Sequence, residues 1–153
     1  MDIHFEGEQY TFSVRVAALI RNEDKILVEQ NTDVDYYGLI GGRCHLGEDS
    51  IEAIKREILE ETGEEVIHIR TVGIIENFFT SRYSNSPYHE ILIIHEMKFK
   101  NDKMYLEDKI VNKEEPSKAK FYWKEISELN KCKPEIVFKH LNDREIFHFI
   151  NKD

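Results

Sequence analysis

From Gly42 to Gly63 the chain runs Gly-Arg-Cys-His-Leu-Gly-Glu, then seven residues, then Arg-Glu-Ile-Leu-Glu-Glu-Thr-Gly. No other stretch constrains the fold as much. At about 100° per residue, Glu57, Glu60 and Glu61 lie within one side of a helix, and Ile51, Ile54 and Ile58 form an adjoining apolar stripe. Asp49 with Glu52 three positions on has capping-box character, and Gly63 suits the left-handed residue that follows a helix. The spacing therefore predicts a helix between Asp49 and Gly63, entered from a glycine-bordered loop. One side of it binds the core and the other gathers carboxylates.

Arg56 reaches Glu52 and Glu60 at four-residue spacing, whereas Glu57 and Glu61 are like charges at that same spacing. On an exposed helix such repulsion costs only about 0.2–0.5 kcal/mol, so a plain solvated face stays open as a reading. If the loop folds over the helix, two carboxylates about 4 Å apart repel by roughly 4 kcal/mol at an effective dielectric of about 20. A divalent cation is then needed. Hard Mg²⁺ or Mn²⁺ suits oxygen ligands, keeps some of its waters and is commonly shared with substrate phosphates.

Glycine, five residues, glutamate, seven residues, then Arg-Glu-apolar-X-Glu-Glu-X-Gly resembles the signature box of the Nudix hydrolases, with Gly42, Glu48, Arg56, Glu57, Glu60, Glu61 and Gly63 all matching. Glu64 departs at the last position, where the family usually has an apolar residue, and Ile40 stands where many relatives carry proline. Neither position supplies a metal ligand. The resemblance implies an α/β (α+β) fold, the Nudix mixed β-sheet sandwiched between helices. It implies that Glu57, Glu60 and Glu61 hold Mg²⁺, with Mn²⁺ as the alternative, that the backbone carbonyl of Gly42 joins them, that Glu48 supports the cluster and that Arg56 orients a glutamate. Relatives take their general base either from the box or from an acid on a later loop. Glu57 and Glu60 are therefore the first candidates, followed by Glu115 and Glu114, with Glu90 at a strand start as a further outer ligand.

The 153 residues suffice for one domain, spanning 1–153, and are too few for two ordinary ones. A net charge of −9 argues against a broad basic face for extended nucleic acid, although a small nucleotide held through metal is compatible with it. The first residues lack a basic region followed by an apolar run, and the aliphatic run at 91–94 is far short of a membrane span, so a cytoplasmic protein with no membrane partner is expected. A homodimer stays open as its assembly. Cys44 and Cys132 show neither zinc spacing nor a disulfide framework and are expected to be inert.

In chain order, residues 12–20 alternate as far as Val16 and then turn apolar throughout, reading as a strand that becomes buried on both faces, with 21–24 as a turn, 25–29 as the return strand, 30–35 as a polar loop and 36–40 as a short strand ended by Gly41 and Gly42. Residues 65–76 and 88–99 read as strands. The loop expected between them, 77–87, holds Phe79 and Tyr83, candidates to stack on a base, while Tyr36 and Trp123 are expected to be packing residues. Residues 101–118 read as a hairpin tip and mobile loop, 119–123 as a strand, 124–129 as a short helix, and Pro134 as the first turn of a helix running to about Leu141, before a short apolar close at 146–150.

By resemblance the activity is Mg²⁺-dependent hydrolysis of a nucleoside diphosphate linked to another moiety. Motifs resembling coenzyme A or NADH pyrophosphatases are missing, and Pro87 falls too late to resemble the downstream proline of ADP-ribose hydrolases, which favours nucleoside triphosphates or dinucleoside polyphosphates. A non-catalytic Nudix-like nucleotide sensor is the competing class, and retention of every box carboxylate argues against it. Isomerase chemistry on an isoprenyl diphosphate is disfavoured by the lack of an obvious added catalytic cysteine.

Overall fold

The apolar stretch Val16–Leu19 is buried on both faces because the strand that carries it lies inside a sheet, whereas Phe12, Val14 and Arg15 ahead of it stay half-buried. A computed structural model of the chain describes residues 1–152. In chain order it contains β1 (His4–Glu6), β2 (Thr11–Leu19), β3 (Arg21–Asn22), β4 (Lys25–Asn31), β5 (Tyr37–Gly38), β6 (Ile40–Arg43), α1 (Ser50–Thr62), β7 (Val66–Thr80), β8 (Pro87–Phe99), β9 (Lys109–Val111), β10 (Ala119–Glu125), α2 (Glu135–His140) and β11 (Phe147–Lys152). The larger sheet is ordered β1-β2-β8-β7-β11, with β6 also on β2, and mixes the parallel pairs β2/β8 and β7/β11 with antiparallel ones. The smaller sheet is ordered β3-β4-β10-β9, with β5 on β4.

Alternation of side chains along β2 divides the core in two. Val16 and Ala18 join Ile54 and Ile58 of α1 with Ile40, Met97, Phe99 and Phe121, whereas Ala17 and Leu19 join Val137 and Phe138 of α2 with Ile75, Ile94 and Phe147. The result is an α/β fold whose larger sheet lies between α1 and α2. No described helix is long and apolar enough to cross a membrane.

Several boundaries differ from the local pattern. Gly41 and Gly42 do not end a strand but lie inside β6, where they pair with Ala17 and Val16. β7 does not stop near residue 76, because its antiparallel ladder with β8 continues as far as Thr80 opposite Pro87, so Phe79 is a strand residue and the loop shrinks to 81–86. Residues 101–118, expected to be a hairpin tip and loop, include a 3₁₀ turn at Asp102–Leu106 and strand β9. Residues 124–129 hold only a single 3₁₀ turn, Ile126–Glu128, because β10 runs on to Glu125. The apolar close is β11, set parallel beside β7. Glu64, the departure at the end of the box, accepts a hydrogen bond from Asn101 Nδ2 at 3.2 Å, so a polar contact stands where an apolar one was expected.

One buried titratable group ties α1 to this frame. His95 of β8 is only 2% exposed, with its Nε2 2.9 Å from Ser50 Oγ and its Nδ1 3.1 Å from His68 Nε2 and 3.2 Å from Thr71 Oγ1. Burial, and after it the neighbouring His68, lowers the His95 imidazole from 6.5 to about 4. Between those values the unfolded chain binds the proton and the folded chain does not, so this share of stability is present above pH 6.5 and lost as pH falls towards 4. Urea titrations at pH 7 and pH 4.5 should show an acid-induced loss smaller in His95→Gln than in the parent by on the order of 2 kcal/mol. Equal losses in the two proteins would refute the assignment.

Candidate active site and metal centre

The helix that carries the acidic residues is fixed at both ends by its own sequence. Asp49 Oδ1 accepts from the Glu52 backbone N–H at 2.8 Å and Glu52 Oε2 accepts from the Asp49 N–H at 3.2 Å, completing the capping box. At the other end Gly63 adopts φ 78°, a left-handed conformation, and its N–H donates to Leu59 O. With Ala53, Ile54 and Ile58 buried in the core, α1 has little freedom to rotate, and its carboxylates face β6 and the segment after β9.

Arg56 is the hub of the near side. Its Nε and Nη2 grip both oxygens of Glu48 at 2.8 and 3.0 Å, Nη2 also donates to Arg43 O at 2.9 Å, and Nη1 donates to Glu57 Oε1 at 3.0 Å and Glu60 Oε2 at 3.3 Å. The hydrogen bonds from Arg56 hold the Glu48 carboxyl below its ordinary range, and Glu48 Oε1 also accepts from the His45 N–H. One guanidinium thus joins the loop before α1 to three glutamates. Gly42, expected to end a strand and to offer its backbone carbonyl to a metal, is required on the same side for a steric reason. A Cβ there would overlap the Glu57 carboxyl, so the absence of a side chain is what lets that carboxyl lie against β6.

The far side is organised by Asn112, which is 1% exposed. Its Nδ2 donates to Glu61 Oε1 and to Glu29 Oε2, each at 3.1 Å, while its Oδ1 accepts from the backbone N–H of Glu114 at 3.0 Å. The last contact closes an Asx-type turn that brings the Glu114 side chain back over α1. Carboxylate oxygens of Glu57, Glu61 and Glu114 lie within 4.8 Å of one another. Glu61 is 8% exposed and its Oε2 has no hydrogen-bond partner. Burial, then the charges of Glu29 and Glu57, raise its carboxyl to about 9. Glu57 is raised as well, chiefly by burial and against the pull of Arg56.

An oxygen-only, acid-rich cluster with an orphaned buried oxygen is the donor set of a hard divalent cation. The residues present therefore fit such an ion, and Glu57, Glu61 and Glu114 would hold it. Among the acids singled out from the sequence, Glu60 stands apart from this trio: its side chain is exposed and bonded to Arg56. Glu115 lies on the rim of the neighbouring cleft, where its Oε2 accepts from Asn31 Nδ2 at 3.3 Å. Glu90 is in the floor of that cleft, held by Asn77 and Arg15, and none of the box glutamates ranks among the causes that raise its carboxyl. Glu29 and Asn112 were not anticipated. The pattern Asn-x-Glu-Glu was the one local signal for Asn112, as an Asx turn.

The neighbouring cleft, of about 780 Å³, is lined by Glu29, which shares the Asn112 amide with Glu61 of the cluster. Phe79 and Tyr83 both line it. Tyr83 is 76% exposed, whereas Phe79 stacks on Tyr88 at 5.3 Å. Tyr36, expected only to pack, also lines the cleft, and Arg82 lies over its ring at 5.6 Å while bonding Asp35. Trp123 does pack, against Tyr105 and Phe99. Cys44 is buried, its thiol pushed up to about 11, as suits an inert residue.

No curated protein matches the chain in sequence. Among solved structures it is similar in fold to a Nudix hydrolase from Nitrosomonas europaea, at 14% identity, a TM-score of 0.64 and coverage of 96% of this chain and 82% of that one. A MutT protein from Bacillus halodurans matches at 21% identity and TM-score 0.65 over 90% of each chain. An ADP-ribose pyrophosphatase from Streptococcus suis matches at 18% identity and TM-score 0.55, over 90% of this chain and 98% of that one. The family model described as the NUDIX domain covers residues 11–145, from the start of β2 to just before β11, and so takes in α1, Asn112, the smaller sheet and all of the larger sheet but its outer strands β1 and β11. With the acidic helix and its arginine hub inside that span, the chain belongs to the NUDIX family and is a Nudix hydrolase.

Proposed function

We propose that this enzyme hydrolyses a phosphoric anhydride bond in a nucleoside diphosphate linked to another moiety, with Mg²⁺ as its metal and nucleoside triphosphates or dinucleoside polyphosphates as the favoured substrates. The observation that carries the reading is the Glu61 carboxyl, buried, unpartnered at Oε2 and crowded by Glu57 and Glu114. A fold that only needed a stable helix would place an apolar residue there, because an uncompensated buried carboxylate costs several kcal/mol.

Anhydrides resist hydrolysis because their anionic oxygens repel a nucleophile, so catalysis needs charge neutralisation, in-line positioning of water and a base for its proton. When bound, the cation neutralises phosphate charge and acidifies water. The residues of the chain supply the rest. Arg56 holds Glu57 in one orientation through Nη1, and Glu48 fixes Arg56 by accepting from both Nε and Nη2. Glu60, exposed and bonded only to Arg56, retains lone pairs able to take a proton from water. Glu57, raised above its ordinary range by burial, is the alternative base. Phe79 and Tyr83 offer aromatic faces along the cleft in which the nucleoside would lie.

Glu61→Gln tests the metal assignment. Turnover of the responsive substrate with Mg²⁺ is expected to fall on the order of 100-fold or more, while thermal stability holds or rises because a strained acid has been removed. Undiminished turnover would sink the assignment. The substrate itself is identified by offering a panel of nucleotide anhydrides with and without Mg²⁺ and resolving both products. Failure to cleave any of them would count against the activity. Asn112→Ala should leave Glu61 and Glu29 without their shared donor and weaken Mn²⁺ binding, measured by titration calorimetry, by about 10–100-fold. Unchanged affinity, with the circular dichroism of the parent, would show that Asn112 does not position the cluster.

A further inference from the structure

Across the floor of the large cleft runs a continuous row of polar residues. Ser13 of β2 is opposite Glu90 of β8, Glu90 is opposite Asn77 of β7, and Asn77 is opposite Asn151 of β11. The interior of a sheet is an expensive place for such groups unless their hydrogen bonds are met. Asn151 Nδ2 donates to Asn77 Oδ1 at 2.8 Å, which orients the Asn77 amide with its Nδ2 towards Glu90. Glu90 itself is held loosely. Asn77 Nδ2 approaches Oε2 only to 3.4 Å and Arg15 Nε approaches Oε1 only to 3.6 Å, whereas charge-assisted bonds to a carboxylate close to about 2.7–2.9 Å. A carboxyl 7% exposed and lining the cleft therefore has acceptor capacity on both oxygens.

The row beside it on the same face is aromatic. Tyr88 and Phe79, directly opposite each other and each two residues from the polar row, stack with centroids 5.3 Å apart and an interplanar angle of 20°. An aromatic edge next to two coplanar acceptors suits a planar ring that presents two adjacent N–H donors. Adenine and cytosine place an acceptor nitrogen beside their amino group, and uracil flanks its one N–H with carbonyls, so each would set a lone pair against a carboxylate oxygen. Guanine presents N1–H and N2–H side by side.

We infer that Glu90 is a specificity residue that selects a guanine base, accepting from its N1–H and N2–H, with Asn77 and Asn151 orienting the carboxyl and Tyr88 and Phe79 bordering the ring. This rests on the nucleotide-hydrolase activity proposed above. Burial pushes the Glu90 carboxyl up, and Arg15 followed by Asn77 pull it back. Two further donors from the ligand favour the ionised form.

The test compares kcat/KM for GTP, ITP and ATP with Mg²⁺, in the parent and in Glu90→Gln. A well-placed bidentate pair discriminates by about 10–100-fold, so the parent should prefer GTP to ATP by that factor. ITP, which lacks the N2 amine, should fall between them. In Glu90→Gln the GTP-to-ATP ratio should collapse by the same factor. The ratio is the readout, since misfolding would lower both rates alike, and the ITP comparison needs no variant. Equal turnover of the three nucleotides by the parent, or an unchanged ratio in Glu90→Gln, would overturn the inference. Cleavage of other nucleotide anhydrides but none of these three would overturn it while leaving the activity standing, whereas cleavage of no anhydride at all would remove both.

Discussion

Repulsion among buried carboxylates is the constraint around which this structure is arranged. Glu57, Glu61 and Glu114 converge within 4.8 Å, and Glu29 adds a fourth acid on the far side of Asn112. Left alone, such a group would splay into water. Three features prevent it: the capped ends of α1 fix its rotation, Arg56 draws Glu57 inwards, and Asn112 holds Glu61 and Glu29 from one amide. Each supplies a donor or a fixed backbone but none supplies a full positive charge at Glu61 Oε2. The protein therefore meets the geometric requirement of a cation site within itself and leaves the charge to be met from outside.

The two sheets divide this work. The larger sheet gives α1 a flat apolar bed through Val16 and Ala18, and β6 contributes Gly42, a position without a side chain against which Glu57 rests. The smaller sheet delivers Glu29 from β4 and, just beyond β9, Asn112, so the far half of the cluster is carried by strands of a different sheet from the near half. A shift of one sheet against the other would separate Asn112 from Glu61, and the shared core around Phe121, Ile110 and Leu27 is what resists that shift.

How much of this was legible in the sequence depended on whether the information was local. The helix from Ser50 to Thr62, its caps, and the pairing of Arg56 with Glu60 follow from spacing alone, because each involves residues within one or two turns, whereas the other partner expected of Arg56, Glu52, is engaged in the capping box and Glu48 stands in its place. The strand through Val14 and Val16 was equally plain from its apolar run. Gly42 was legible as a special position, but the room it makes for Glu57 was not, since a strand-ending glycine and one that makes room for a neighbour look the same in one chain. Asn112 and Glu29 were invisible because Asn112 meets Glu61 and Glu29 across separations of 51 and 83 residues set by sheet pairing. The extension of β7 through Phe79 and the parallel seat of β11 arise from ladders with distant partners, which outweigh the polar character of Asn77 and the shortness of the tail.

The cleft shows the same economy at its other end. Glu90, like Glu61, is a buried acid, yet its surroundings differ in kind: where Glu61 faces further carboxylates, Glu90 has only an amide at 3.4 Å and an arginine at 3.6 Å. The cluster is short of positive charge and the cleft floor is short of hydrogen-bond donors, with Phe79 and Tyr88 bordering that floor and Glu29, which lines the cleft, sharing the Asn112 amide with Glu61. A free phosphate would answer neither need, and a bare cation only the first. A metal-complexed nucleotide with an N–H-bearing base answers both at once, so the two deficits together point to a single extended ligand rather than to two separate small ones.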